Sequence, residues 1–183
     1  MTVDQVQVVL RVAGLGDETA IDALMQESTA ALFPRYYDDR QTASAVRFVA
    51  HADPLIIADG TYFVLEADGE LVGCGGWSRR DRLYTGSGES DDDGRLLDPA
   101  TEPAKVRAMF VRSDWTRRGL GRRILDECER AARAEGFERL ALLATLPGVP
   151  LYAACGFEPI GDEFEVALED GVPLGCLAME KPI

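Results

Sequence analysis

Hydrophobic positions change period along this chain, and the changes mark its elements. Residues 6–12 form a β-branched run that predicts a first strand. Asp17 then predicts the cap of a helix reaching about residue 32, with Ile21, Leu24, Ser28 and Leu32 along one side. A second helical segment is predicted over 39–49. Residues 61–67 and 70–77 predict a hairpin around Asp68-Gly69. From Arg79 to Ala104 the periodicity stops, and Gly, Ser, Asp and Pro predict an irregular polar insertion. Residues 106–111 predict a central strand. A helix is predicted over 119–135, with Leu120, Ile124, Cys128 and Ala131, and Leu125 and Ala132 beside them, as its buried stripe. Gly136 predicts its left-handed cap. Residues 140–144 predict a strand, and 149–154 a short helix that stops at Gly156. Two closing strands, 157–167 and 172–180, flank Asp170-Gly171.

The order is therefore strand, two helices, three strands, helix, strand, short helix, two strands. That order predicts one mixed α/β sheet with helices on both sides. The 183 residues suffice for one domain with a sizeable core, and no Pro/Gly/Ser linker or internal repeat divides them. The expectation is a single domain over 1–183 with an acidic insertion at about 79–104.

Composition narrows the classes. The net charge of -13 opposes non-specific nucleic-acid binding. No 20-residue apolar run predicts a membrane span. Met-Thr-Val-Asp-Gln lacks the basic start and apolar run of a signal peptide, so the expected location is cytoplasmic. Cys74, Cys128, Cys155 and Cys176 follow no ligand spacing and read as reduced, small core residues. Glu89, Asp91, Asp92, Asp93, Asp98 and Glu102 cluster around a single Arg95. They form either a solvated loop or a rim that draws in a cationic substrate.

The chemistry concentrates in Val111-Arg-Ser-Asp-Trp-Thr-Arg-Arg-Gly-Leu-Gly-Arg122. An apolar strand ends, and a turn with Gly119 and Gly121 opens a long helix. Amides at a helix start lack internal partners and bind anions. Glycines let a ligand come close. A Walker A loop requires Lys and Ser/Thr after its glycines, but Arg122 and Arg123 stand there. A dinucleotide turn requires a third glycine where Ile124 sits, and it comes early in a sheet. A pyrophosphate on the amides of Arg117, Gly119, Gly121 and Arg122 fits better. Arg117, Arg118, Arg122 and Arg123 add positive charge. Downstream, Pro150-Leu-Tyr-Ala-Ala-Cys-Gly-Phe157 puts Tyr152 on a short helix. Gly156 suits a left-handed turn and Phe157 a core anchor.

Together these segments resemble the GNAT superfamily of N-acetyltransferases. Its pyrophosphate motif, Gln/Arg-x-x-Gly-x-Gly/Ala, matches Thr116-Arg-Arg-Gly-Leu-Gly121, with Thr116 in place of the usual Gln or Arg. Its tyrosine segment matches Leu151-Tyr-Ala-Ala-Cys-Gly-Phe157. An asparagine often found just before it is missing, since Pro147 and Gly148 occupy the turn. The resemblance covers most of the element order, is specific in these two motifs, and is vague over the first eighty residues. It implies a mostly antiparallel sheet splayed between its central strands, with acetyl-CoA as cosubstrate. Backbone groups of Met109 and Val111 are then expected to pair with the pantetheine arm. The Met109 N–H would polarise the thioester carbonyl. Arg117, Arg118, Gly119, Gly121 and Arg122 are expected to hold the pyrophosphate. Tyr152 is expected to protonate the departing thiolate, with no covalent intermediate. Cys155 has no evident basic partner for an ester route.

A base is less legible. Glu66, Asp98 and Glu102 are candidates that read first as surface carboxylates. His51, the single histidine, reads as exposed or capping. Trp77 is either core or an acceptor-pocket wall. Phe33, Tyr36 and Tyr37 either line the acceptor site or pack a helix–helix turn. The expected function is acetyl transfer to a primary amine of a small, cationic molecule. The alternatives are a non-catalytic acyl-CoA-binding regulatory module and a protein or peptide N-acetyltransferase. No metal is expected, and the oligomeric state is left open, a homodimer included.

Overall fold

The computed structural model describes residues 6–81 and 94–183. Glu89, Asp91, Asp92 and Asp93 of the acidic cluster lie outside the described residues. The elements run β1 (Val8–Val12), α1 (Glu18–Leu32), α2 (Asp39–Phe48), α3 (Pro54–Ala58), β2 (Tyr62–Ala67), β3 (Glu70–Ser78), β4 (Ala104–Val111), α4 (Leu120–Ala134), β5 (Arg139–Thr145), α5 (Val149–Ala154), β6 (Glu158–Pro159), β7 (Phe164–Ala167) and β8 (Pro173–Pro182). Short 3-10 turns join several of them. No described helix is long and apolar enough to cross a membrane.

Three local expectations change. Asp17 does not cap α1 with its side chain. Its carboxylate accepts from the Gly14 N–H and from Arg11, and so closes the preceding 3-10 turn. The closing strand over 157–167 is two strands, β6 and β7, separated around Gly161 at φ +78°. Helix α3 was not expected. Asp53 caps it by accepting from the Leu55 N–H at 3.0 Å, and Pro54 fits the first helical position, where no N–H is needed.

Among the described residues one sheet carries all eight strands, in the order β1-β2-β3-β4-β5-β8-β6, with β7 also on β8. Every pairing is antiparallel except β4 with β5. Helix α4 connects those two, as a parallel pair requires a crossover. Strand β2 shows how the sheet divides its burial. Phe63 and Leu65 pack with Ile124, Leu125, Cys128 and Ala132 of α4. Tyr62 and Val64 pack with Ile21, Leu24 and Met25 of α1. The alternation is the period-2 pattern of a strand covered on both faces. Asp68 and Gly69, at φ +51° and +81°, make the tight turn between β2 and β3.

Strands β4 and β5 pair at only two positions, Ala104 with Leu140 and Lys105 with Ala141. Beyond them the strands diverge. Strand β4 is also bulged against β3. Cys74 faces Phe110 and Gly76 faces Arg107, so Gly75 opposes both Ala108 and Met109. Ala108 takes φ +50°, a left-handed conformation that costs an ordinary residue ~1–2 kcal/mol. Gly75 makes room, because a Cβ there would collide with the Met109 sulfur. Beside the bulge, Arg107 is buried and paired with Asp53 at 3.2 Å. Its charge is thus compensated where water is excluded.

On the far edge, Arg11 of β1 binds Asp17 at 2.8 and 2.9 Å and Glu66 of β2 at 3.1 Å. Arg11 is the main cause that lowers the Asp17 pKa from 3.8 to about 2. A depressed carboxylate stabilises the fold above its unfolded pKa and loses that contribution as pH falls through its folded one. Arg11→Met is therefore expected to be less stable than the parent at neutral pH, with the difference closing as pH drops from about 4 towards 2. Urea titrations across that range test this. A difference that stays constant down to about pH 2 would exclude the linkage.

Candidate active site

The divergence of β4 and β5 opens a groove of about 550 Å³. It runs from the start of α4, past the end of β4, to α5. Its floor at the α4 end is the predicted anion turn. A 3-10 turn over Ser113–Trp115 follows β4, and the Thr116 hydroxyl donates to the Ser113 carbonyl at 3.0 Å. Arg117 at φ +65° and Gly119 at φ +78° then bend the chain into α4. Gly119 is the N-cap and makes no side-chain hydrogen bond. The first-turn amides of α4 therefore have no capping side chain and form the positive end of the helix dipole. A Cβ on Gly119 would meet nothing within 4 Å, so the space over these amides is clear. An uncapped helix start with clear space above it fits a diphosphate.

The predicted residues divide as follows. Met109, Val111, Arg117, Gly119, Gly121, Arg122 and Tyr152 all line the groove. Arg118 does not. Its guanidinium lies 4.5 Å over the Trp115 ring and donates to the Asp114 carbonyl at 3.2 Å. Arg123 reaches away to the Val8 carbonyl at 2.8 Å. Arg122 donates to the Ala154 carbonyl at 2.9 Å, tying α4 to the end of α5. Gly121 serves packing as well as approach, since a Cβ there would press on the Leu151 side chain at 2.6 Å. Trp115, Phe110, Leu32 and Leu151 supply apolar wall that the motifs did not single out. Trp115 sits inside the motif itself, so an aromatic next to an anion turn was the available signal.

A second cavity, about 100 Å³, adjoins the first and shares Met109, Phe110, Thr145 and Tyr152 with it. Its remaining wall includes Val49, Leu143, Val166, Leu168, Leu174 and Cys176. Arg107 is the one charged side chain among its described lining residues, and Asp53 pairs with it.

Tyr152 stands where the two cavities meet. Its ring packs edge-on against Phe157 at 5.8 Å, and a Cβ on Gly148 would lie 2.8 Å from it. Burial pushes its phenol pKa up, so the hydroxyl keeps its proton at neutral pH. Cys155 lines neither cavity, and burial raises its thiol pKa too. It is not activated as a nucleophile.

The base candidates lie elsewhere. Glu66 is held by Arg11. Glu102 is held by Arg95, which lowers its pKa to about 2. Asp98 bonds the Ala100 and Thr101 turn just before β4, at the end where β4 still pairs with β5. His51 approaches the Arg47 carbonyl at 2.6 Å and so closes α2, which is a capping role. Trp77 is core, packed edge-on to Phe137 at 5.9 Å beneath α4, and it lines neither cavity. Phe33 and Tyr36 border the groove. Tyr37 does not. Its hydroxyl donates to the Gly175 carbonyl at 2.6 Å and accepts from the Leu146 N–H at 2.8 Å.

The family model described as acetyltransferase (GNAT) family matches residues 21–157. The chain belongs to this family. A solved GCN5-related N-acetyltransferase from Rhodopseudomonas palustris aligns with a TM-score of 0.73 at 20% identity, over 96% of this chain and 95% of that one. The PaiA N-acetyltransferase of Thermoplasma acidophilum, solved with coenzyme A, aligns at 0.67 and 14% identity, over 97% and 99%. A ribosomal-protein-alanine N-acetyltransferase from Brucella melitensis aligns at 0.61 and 19% identity, over 96% and 99%. No curated protein matches by sequence. The divergent β4–β5 pair and the groove along it are thus the GNAT fold in this chain.

Gly119→Val would place a branched side chain at φ +78°, in the space over the α4 amides. Coenzyme A affinity is expected to fall at least about tenfold, ~1.4 kcal/mol, by titration calorimetry. Unchanged affinity in a folded variant would move the diphosphate off this turn.

Proposed function

We propose that this protein transfers an acetyl group from acetyl-CoA directly to a primary amine. The observation that carries the reading is the continuity of two unlike spaces across Tyr152. One space is a long groove ending on an uncapped helix start, and the other is a small apolar chamber. The first suits an anionic diphosphate with a long arm. The second suits the body of an amine.

In this reading the α4 amides and Arg117 hold the diphosphate. The backbone of Met109 and Val111 pairs with the pantetheine arm, filling the edge that β5 leaves open. The Met109 N–H donates to the thioester oxygen as charge builds on it. The amine attacks in its neutral form, having given one proton to solvent. The new C–N bond forms as the C–S bond breaks, and the amine gives up its second proton to water. Tyr152 donates its proton to the thiolate and regains one from solvent. Cys155 takes no part.

The net charge of -13 favours approach of a cationic amine. The chamber adds a local preference. Its lining is mostly aliphatic, and the two charges next to it already neutralise each other. An acceptor whose only charge is the reacting amine, on a short aliphatic body, meets both conditions. A small-molecule acceptor fits a chamber of about 100 Å³, which is below the ~150 Å³ known to admit benzene. A protein N-terminus would enter it only with its first side chain.

Thiol release from acetyl-CoA across a panel of amines tests the reaction. Tyr152→Phe is expected to keep coenzyme A affinity and to lose turnover by about 10²–10⁴-fold, the usual worth of a general acid. Cys155→Ala is expected to turn over like the parent. Coenzyme A binding without turnover on any amine would support the regulatory-module reading instead.

A further inference from the structure

Tyr62 is a fully buried tyrosine that none of the chemistry above uses. It opens β2 and points to the α1 side of the sheet, among Ile21, Leu24, Met25 and Cys74. Its hydroxyl donates to the Ala108 carbonyl at 2.7 Å. That carbonyl belongs to the bulge of β4, where Ala108 sits at φ +50°. The bulge residues Ala108 and Met109 are out of register with β3, and β5 pairs with neither of them. The peptide therefore lies outside the regular register of the sheet, and the Tyr62 hydroxyl is a hold on it from beyond the strand's neighbours.

The Ala108 carbonyl and the Met109 N–H are two ends of one peptide unit. The bond is trans, since no described peptide is cis. In a trans unit the oxygen and the amide hydrogen point in opposite directions within one plane. A hydrogen bond that fixes the oxygen therefore aims the N–H. It also polarises the unit, which makes the N–H a stronger donor.

We infer that Tyr62 is a positioning residue for acetyl transfer: its hydroxyl holds the Ala108–Met109 peptide so that the Met109 N–H faces the thioester oxygen. The inference rests on the reaction proposed above and adds to it a residue on the opposite face of the sheet from α4. The left-handed Ala108 makes the tether necessary. An alanine at that φ reverts readily to an extended conformation, and reversion would rotate the peptide and carry the N–H away. Arg107, buried against Asp53, anchors the chain on the other side of the same residue.

The test uses acetyl-CoA labelled with ¹³C at the thioester carbonyl, bound to the full chain and read by isotope-edited infrared spectroscopy. In the parent protein the carbonyl stretch is expected below its value in free acetyl-CoA. In Tyr62→Phe it is expected to return towards the free value, with kcat falling about ten- to a hundredfold, as for a misaimed oxyanion donor. Affinity for coenzyme A lacking the acetyl group should not change, because that ligand carries no thioester oxygen. Tyr62→Phe/Ala108→Gly should recover much of the lost kcat and the lowered stretch, since glycine holds a left-handed φ without help. A packing role for the hydroxyl predicts no such recovery. A parent-like stretch and kcat in Tyr62→Phe, or a folded double variant with neither restored, would overturn the inference. If Tyr62→Phe does not fold, the double variant alone decides it by the same two readouts. A parent protein that binds acetyl-CoA but acetylates no amine would instead count against the proposed reaction, and the carbonyl stretch would still report on Tyr62.

Discussion

Strand β4 has to satisfy two demands at once, and most of the structure follows from them. It must stay hydrogen-bonded to β3 and it must let go of β5. Two paired positions hold the parallel strands together at one end, and the groove and the chamber lie along the rest. Releasing strand backbone inside a protein is costly, because a buried polar group left unsatisfied costs ~1–3 kcal/mol. A gap of this kind persists only where something else can meet those groups. An extended ligand with amides of its own is suited to meet them, in the manner of an added strand. The same opening that weakens the sheet is what makes it a binding site. The bulge at Ala108 and the missing side chain at Gly75 serve the same end, bending β4 away and letting Met109 fold back over β3.

Charge works on two length scales here. The whole chain carries -13, yet its proposed ligand is an anion. At physiological salt, exposed charges further apart than ~8 Å are largely screened. What the diphosphate would feel is therefore the nearby set: the uncapped amides of α4, the helix dipole and Arg117. The other arginines of the motif are mostly engaged. Arg118 is stacked on Trp115, Arg122 is tied to α5, and Arg123 is bound to β1. Their sequence spacing looked like a cationic patch. In the fold they are largely engaged by the protein itself, which leaves the uncapped backbone amides as the donors open at this turn.

This contrast shows what was legible in the sequence. Helix α4 was, because a 3.6-residue stripe, a glycine at each end and a turn of fixed spacing are all local signals. The β2–β3 hairpin was, because Asp68 and Gly69 carry the chemistry that its turn requires. The short helix that carries Tyr152 was, because its sequence runs from prolines to Gly156. Features that depend on pairing between distant segments were not legible. The bulge exists only as two residues of β4 set against one of β3, and nothing about Ala108 alone marks a left-handed residue. The burial of Arg107 within an apolar strand depends on Asp53, more than fifty residues earlier, which pairs with it. Asp17 was expected to cap α1, but Arg11 and the Gly14 N–H hold its carboxylate on the preceding turn. Trp77 read as either core or pocket wall, and the structure decides for the core, with its ring against Phe137.

The small chamber illustrates the same principle in a wall built from remote parts. Helix α2 is stitched to the β7–β8 hairpin by Ser44 on Asp170 and by Gln41 on the Pro173 carbonyl. Tyr37, just ahead of α2, bridges β8 at Gly175 to the end of β5 at Leu146 with one hydroxyl. Burial raises the pKa of that phenol, so it stays protonated and able to donate. Through it, the residues that follow β5 and lead to α5 are held against the hairpin that supplies Val166, Leu168 and Leu174 to the chamber. Tyr152 rides on that same connection. Tyr37 thus reinforces a junction that the β5–β8 ladder already makes at Thr145 and Cys176, and it borders neither cavity. An aromatic that from sequence fitted either a pocket wall or a helix–helix turn acts here as a strut between the start of α2 and the sheet.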